Sequence, residues 1–294
     1  MAHARLSASR LLWLPFLVCT LLLGTPCPTA TAHDEIHGDL YVGPGQQLPN
    51  GTDVYGGVVN YGRGTLAFDP ALWAQQRVEN YGPVDMYFAG YSGQAGFKNH
   101  APGKIKGCGY VGSASGPVEN AGTIMSFGGP LIVVSGGSGV TNSGVFTASP
   151  GTTLTVIAPA TPEFQNRGTI EVCLSATVAC DCNLVNEAAA IVKLNGGTLA
   201  AKRITRSRGA TLQGFGGISG NLVIDPNAVV TLIGPTQILG DVQVSKGGRL
   251  EASNGTTFIT GQVTGGGTIY IKDGNVVPLG GFSSDCIVIR ESGT

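Results

Sequence analysis

Val118-Glu119-Asn120-Ala121-Gly122-Thr123-Ile124, Val140-Thr141-Asn142-Ser143-Gly144-Val145-Phe146 and Phe164-Gln165-Asn166-Arg167-Gly168-Thr169-Ile170 are three copies of one theme. An apolar residue leads, Asn and Gly follow two apart, and an apolar strand resumes. Further copies lie upstream, as Val59-Asn60-Tyr61-Gly62 and Val78-Glu79-Asn80-Tyr81-Gly82. A degenerate one, Leu184-Val185-Asn186, lies downstream. Successive asparagines are 20, 40, 22, 24 and 20 residues apart. The double interval reads as two periods, with the middle copy replaced by a Gly/Tyr-rich insertion. A second phase closes the chain. Gly220-Asn221-Leu222-Val223-Ile224, Gly240-Asp241-Val242-Gln243-Val244 and Gly261-Gln262-Val263-Thr264 recur at intervals of 20 and 21. Short alternating runs separate them: Val229 to Ile233, Arg249 to Ala252 and Thr268 to Ile271.

A period of this length marks a repeat architecture. Each period holds two or three strands of a few residues, with apolar residues alternating. Such a unit is too small to bury its own apolar face. Coils stacked ~4.8 Å apart would pair every strand with its neighbour and join the apolar residues into one ladder. Gly and Asn are expected at the corners because they accept positive φ. Equivalent asparagines, Asn60, Asn80, Asn120, Asn142, Asn166 and Asn186, would hydrogen-bond along the stack. The expected fold is all-β: a single-stranded parallel β-helix, or β-solenoid, with coils of ~20–24 residues. Roughly twelve coils would make a rod of order 55 Å. A β-sandwich would show similar short strands, with turn signals about every 8–12 residues; repetition in two phases favours the solenoid.

Composition narrows the class further. The chain has 294 residues, 47 of them Gly, with 12% charged and 42% hydrophobic. Ample apolar residues argue against charged disorder, and the lack of a three-residue Gly period excludes collagen. Long Glu/Lys/Arg/Leu-rich periodic runs are missing, which excludes a coiled coil. A formal charge of −1 leaves no electrostatic footprint for nucleic acid.

Residues 1–32 read as a signal peptide. Arg5 and Arg10 precede the 13-residue apolar run Leu11 to Leu23, and Ala30-Thr31-Ala32 follows as an A-x-A exit. That run is too short for a membrane span, which needs about 20 residues. The exported chain is expected to begin at His33, to lack a membrane span and to be secreted or held at a cell surface. Residues 33–110 are less regular and read as a cap or inserted lobe continuous with the solenoid, Ala71 to Arg77 forming one short helix. The solenoid proper is assigned to 111–280. Residues 281–294, with the apolar Ile287-Val288-Ile289 run, read as a tail or the start of further sequence.

Cys108, Cys173, Cys180, Cys182 and Cys286 follow the signal peptide, and an oxidising compartment makes them disulfide candidates. Cys173 with Cys180 or Cys182 could close a small loop; the odd count leaves one thiol over. A metal site on those three lacks the usual C-x₂-C spacing and a nearby His. If the source is eukaryotic, Asn50-Gly51-Thr52 and Asn254-Gly255-Thr256 are N-glycosylation sequons.

The repeats resemble the passenger regions of secreted bacterial adhesins and autotransporters, in which N-x-G-T-[IL] and G-x-V-x-V-x-x-G-G-x-L elements build pectin-lyase-like right-handed parallel β-helices. The likeness is one of repeat style, over roughly residues 56–62, 78–82 and 118–280. The closing G-x-V repeats are similar to those of polymer-forming bactofilin-type β-helices. Either resemblance implies a scaffold, an adhesive surface or a self-associating wall component.

Chemistry is harder to find. A glycosidase needs two carboxylates flanking one bond. The carboxylates here are scattered, although Glu79 and Glu119 share a repeat position. Polygalacturonase motifs (paired aspartates, Gly-His-Gly, Arg-Ile-Lys) and the epimerase Asp-Pro-His are missing. The basic run Lys202, Arg203, Arg206 and Arg208 is a candidate patch for an anionic polysaccharide or surface. His33 with His37 and His100 brings a copper-binding histidine brace to mind, but such sites sit on β-sandwiches. Thr152, Thr153, Thr155, Thr256 and Thr257 hint at a flat ice-binding face, but no regular T-x-T ladder supports it and threonine is ordinary in strands. No cofactor, metal or catalytic residue is assigned. The expectation is an exported structural or adhesive solenoid that binds a polysaccharide or wall component and is able to self-associate. The alternative is a polysaccharide lyase or glycoside hydrolase on the same fold.

Overall fold

The computed structural model describes residues 34–36, 40–42, 52–54, 58–60, 66–68, 71–158 and 163–291. The signal-peptide reading, His33, His37 and the Asn50 sequon fall outside these. The described chain is all-β. Among the described residues no helix is long and apolar enough to cross a membrane. The strands stack as a β-solenoid of about 11 turns, each strand pairing parallel with another about 20 residues on.

Each full coil has three faces. Face 1 is built of strands such as Thr153–Ile157, which pairs with Leu131–Val134 before it and with Thr177–Cys180 after it. Face 2 stacks Gly96–Asn99, Val118–Asn120, Val140–Asn142, Phe164–Asn166 and Leu184–Asn186. Face 3 places Val145–Ala148 between Thr123–Ser126 and Thr169–Val172. Long strands turn corners without a break: Ile191–Arg206 supplies all three faces of the stack in sequence.

Alternation selects what goes inside. One ladder runs Leu131, Leu154, Val178, Leu199, Ile218, Ile238 on face 1, and another Ile124, Phe146, Ile170, Val192, Leu212, Val230, Leu250, Ile269 on face 3; all are fully buried. Phe97, Val118, Val140, Phe164 and Leu184 line face 2. Removing one such Leu or Phe would cost about 2–5 kcal/mol.

Seven asparagines stack at the corner between faces 2 and 3. Asn60 Nδ2 donates to Asn80 Oδ1 at 2.7 Å, and the pattern repeats through Asn99, Asn120, Asn142 and Asn166 to Asn186, at 2.6–2.8 Å. Every donor points towards the C-terminal end. The amides also donate to backbone, as Asn142 does to Thr169 O. Six of the seven are the asparagines read from the sequence. The seventh corrects that reading: the middle copy is not replaced. Asn99 follows Asn80 by 19 and precedes Asn120 by 21. It escapes the motif because its glycine, Gly103, lies four residues on rather than two.

The role expected of the motif glycines is also corrected. Gly122, Gly144 and Gly168 do not have positive φ, nor do the ladder asparagines. Glycine is needed there because coils approach closely: a Cβ on Gly144 would lie 2.0 Å from Gly122 O, and one on Gly168 2.1 Å from Gly144 O.

Ala71 to Arg77 is not helical. Ala71–Ala74 is a face 1 strand whose Leu72 and Ala74 point inward, paired with Thr52–Val54 and with residues 90–93. Ladder pairing on both sides overrides local helix propensity. Lys104–Ser113 pairs in register with both Pro83–Gly93 and Thr123–Ser135, so coils run through the described part of 71–110. Ile287–Glu291 pairs with Thr268–Lys272 and continues face 3.

Candidate functional site

Charge is distributed unequally over the three faces. Among the described residues from Ala71 to Pro278, no strand segment that lies on face 1 contains an acidic, basic or histidine residue. Two outward columns run straight down it. One is Gly90, Tyr110, Ile132, Thr155, Ala179, Ala200, Ser219, Leu239. The other is Thr153, Thr177, Thr198, Gly217, Gln237, Phe258, Val277. Inter-strand hydrogen bonding sets neighbours ~4.8 Å apart along a column. Leu239, Phe258 and Val277 are exposed. Next to them lies an open groove of about 660 Å³, lined by Gly216, Pro235, Thr236, Gln237, Gly255, Thr256 and Phe258.

Face 2 is the opposite case in its early coils. Glu79, Lys98 and Glu119 follow one another in one of its columns. Arg77 joins the two carboxylates: Nη2 donates to Glu119 Oε2 at 3.1 Å and Nε lies 3.5 Å from Glu79 Oε1. Lys98 Nζ is 3.3 Å from Glu119 Oε2, and His100 Nε2 is 3.2 Å from Glu79 Oε2. Tyr81 donates its hydroxyl proton to Glu79 at 3.1 Å and stacks on His100 with ring centres 4.0 Å apart. This partly exposed patch gathers the carboxylates that share a repeat position, with a cation beside each.

The basic run divides. Lys202, Arg203 and Arg208 are exposed, but Arg206 is buried. With Ile204 inward, period 2 sends residue 206 inward as well. Arg206 occupies the next place in the asparagine stack, paired with Asn186 on one side and Ile224 on the other. Its Nη1 donates to Ser207 O at 3.0 Å, its Nε makes no hydrogen bond, and burial pulls its pKa down. It is therefore a core residue and not part of an exposed cationic patch.

The cysteines also depart from expectation. No disulfide joins the five among the described residues. Three of them face non-cysteines in the neighbouring coil: Cys180 pairs with Val156, Cys173 N–H bonds Ala148 O, and Cys286 Sγ approaches Val263 O and Gly265 O. Cys180 and Cys182 are both buried in the core. Burial raises the pKa of Cys180 well above its ordinary value and raises those of Cys173 and Cys182. Thiols held protonated are poor nucleophiles and poor metal ligands. Among the described residues no group of three or more His, Cys, Asp or Glu is placed to hold a metal ion.

Asn254 of the second sequon is exposed at a corner, in a left-handed conformation (φ 55°). The other sequon residues, Gly255 and Thr256, line the groove. Tyr110, Ile132, Thr177, Gln237 and Phe258 were not singled out by the sequence reading. Aligning strands at their true 19–24-residue intervals, rather than searching for T-x-T within a strand, exposes the uncharged face. No family model, curated protein or solved structure matches this chain.

Proposed function

We propose that this chain is an exported structural or adhesive solenoid of a cell surface or wall matrix, which binds polysaccharide through face 1 and performs no catalysis. The observation that carries the reading is the uncharged face with its two unbroken outward columns. A face without charge suits a partner without charge, because burying unpaired ions would be costly. Its mixture of aliphatic, hydroxyl and aromatic groups matches the mixed apolar and hydroxyl surface of a neutral polysaccharide. Export is supported by the basic start, short apolar run and A-x-A exit of residues 1–32. The repeat-style likeness to adhesin and autotransporter passenger regions points the same way. Self-association remains part of the proposal, since parallel coils can add to any uncovered edge.

The test mixes the exported chain with neutral, acidic and basic polysaccharides. Depletion from solution and release of reducing or unsaturated ends are scored together. Depletion by neutral polymers without new ends is the expected result. New ends would replace this reading with a second one, favoured by the Glu79–Arg77–Glu119 cluster: a lyase or glycoside hydrolase. Ladder spacing puts their backbones about 9.5 Å apart, and the shared Arg77 guanidinium holds the carboxylates closer than that, within the range for glycoside hydrolysis. Glu79→Gln and Glu119→Gln would each abolish such activity.

A further inference from the structure

The groove on face 1 has the composition of a sugar-binding site. Its floor cannot be filled by side chains. A Cβ on Gly216 would lie 2.2 Å from Gly197 O, and one on Gly255 2.7 Å from the backbone of Gly234 and Pro235. Glycine is thus fixed at both places by the close stacking of coils. One wall carries Phe258, 49% exposed on its strand. Gln237 is its partner across the ladder and is exposed. Thr256 and the Pro235 ring complete the lining, and none of the lining residues is charged.

We propose that this groove holds one pyranose ring of an uncharged polysaccharide, lying along the column that runs Thr198, Gly217, Gln237, Phe258. The inference rests on the reading of face 1 as the binding face and adds a specific subsite to it. A pyranose has an apolar face of C–H groups, which suits the negative face of the Phe258 ring. Its equatorial hydroxyls can exchange hydrogen bonds with the Gln237 amide, which both donates and accepts. Neutrality of the whole lining selects an uncharged sugar over a uronate or an amino sugar. The groove is continuous with the outward column, so a chain bound in it runs on along the face.

The experiment uses the full exported chain made without N-glycosylation, because a glycan on Asn254 would stand at the rim. The probes are cellulose, neutral mannan, polygalacturonate and chitosan. Phe258→Ala is compared with Phe258→Trp, with Gln237→Ala and with Thr155→Lys, which places a charge on face 1 far from the groove. Phe258 is half exposed, so its truncation leaves the core intact; the unfolding temperature of each variant checks this. Expected are about tenfold weaker retention on a neutral polymer for Phe258→Ala, the loss of one ring contact, and full retention for Phe258→Trp. Retention of Phe258→Ala equal to wild type, with Thr155→Lys still weakened, overturns the groove and leaves the face. Wild type that is retained by none of the neutral polymers overturns both. Tighter retention on polygalacturonate or chitosan than on the neutral polymers also overturns the subsite.

Discussion

The coils from Asn60 to Asn186 and those from Arg206 onward close the same corner by different chemistry. In the first region a buried asparagine turns into face 3 through a short bridge, and its amide bonds the next coil. In the second region the equivalent places are Arg206, Ile224 and Val244. There the polar work passes to a four-residue turn, which first appears at the boundary, directly after Asn186. Ala190, Ala210, Ala228 and Gly248 donate N–H to Glu187, Ser207, Asp225 and Ser245 carbonyls, and Ala189, Gly209, Asn227 and Gly247 take positive φ. A second, smaller ladder replaces the first at the corner between faces 1 and 2, where Asn221 Oδ1 accepts Asp241 N–H and Asp241 Oδ1 accepts Gln262 N–H. The difference teaches that the coil geometry is general while the corner is negotiable. What cannot change is the satisfaction of backbone groups turned away from solvent.

The largest effect is expected at a motif glycine of the first region. Gly144→Ala drives a methyl into Gly122 O, which belongs to backbone and cannot yield. Destabilisation above about 4 kcal/mol, or failure to fold, is predicted from chemical denaturation. Gly209→Ala in the second region is the counterpart. A Cβ there finds nothing nearer than 4.0 Å, so only the left-handed backbone resists, at about 1–2 kcal/mol. Equal losses in the two variants would break the comparison.

Next in size is Asn142→Leu. It removes the acceptor of Asn120 Nδ2 and the donor to Asn166 Oδ1 and Thr169 O together. A loss of about 2–4 kcal/mol is expected, each orphaned group contributing. Asn142→Asp should also destabilise, because a carboxylate accepts but cannot donate to Asn166.

Arg206→Leu should go the other way. Leucine would extend the apolar corner of Ile224 and Val244 and remove a guanidinium whose Nε makes no hydrogen bond. A gain of about 1 kcal/mol in urea denaturation is expected, as when buried charges are replaced by apolar residues. A marked loss would mean that Arg206 is bonded more fully than its one contact to Ser207 O indicates. The smallest effect is Ala189→Gly. Relief of a left-handed alanine (φ 65°) outweighs the added chain entropy by at most about 1 kcal/mol. Separately, alkylation of the native chain should modify the half-buried Cys173 and Cys286 before the buried Cys180 and Cys182.

The solenoid was legible because Asn, Gly and alternating apolar residues fall at nearly constant intervals, and stacking is the one arrangement that buries all of them. Asn99 was not, because its turn holds two extra residues and hides the motif. The reason for Gly144 was also illegible: close approach between coils is a property of the stack and leaves the local sequence unchanged. Arg206 reads as one of four basic residues until register shows it in line with Asn186. Face 1 is the clearest case of information spread over distance. Thr177, Gln237 and Phe258 lie 60 and 21 residues apart, and no local motif marks them as neighbours on one surface. The groove depends on Gly216 and Gly255 lying one coil either side of Pro235, which is likewise a matter of register.

The central claim is that the uncharged face is the adhesive one. It is tested most directly by placing one lysine at Thr177, in the middle of face 1, or at Thr205, outward on face 2, and measuring co-sedimentation with a neutral insoluble polysaccharide. Both threonines are part-exposed strand residues, so the fold should tolerate either change. The account predicts that Thr177→Lys loses most of the bound fraction while Thr205→Lys matches wild type. Equal binding by all three proteins, or loss confined to Thr205→Lys, would contradict it.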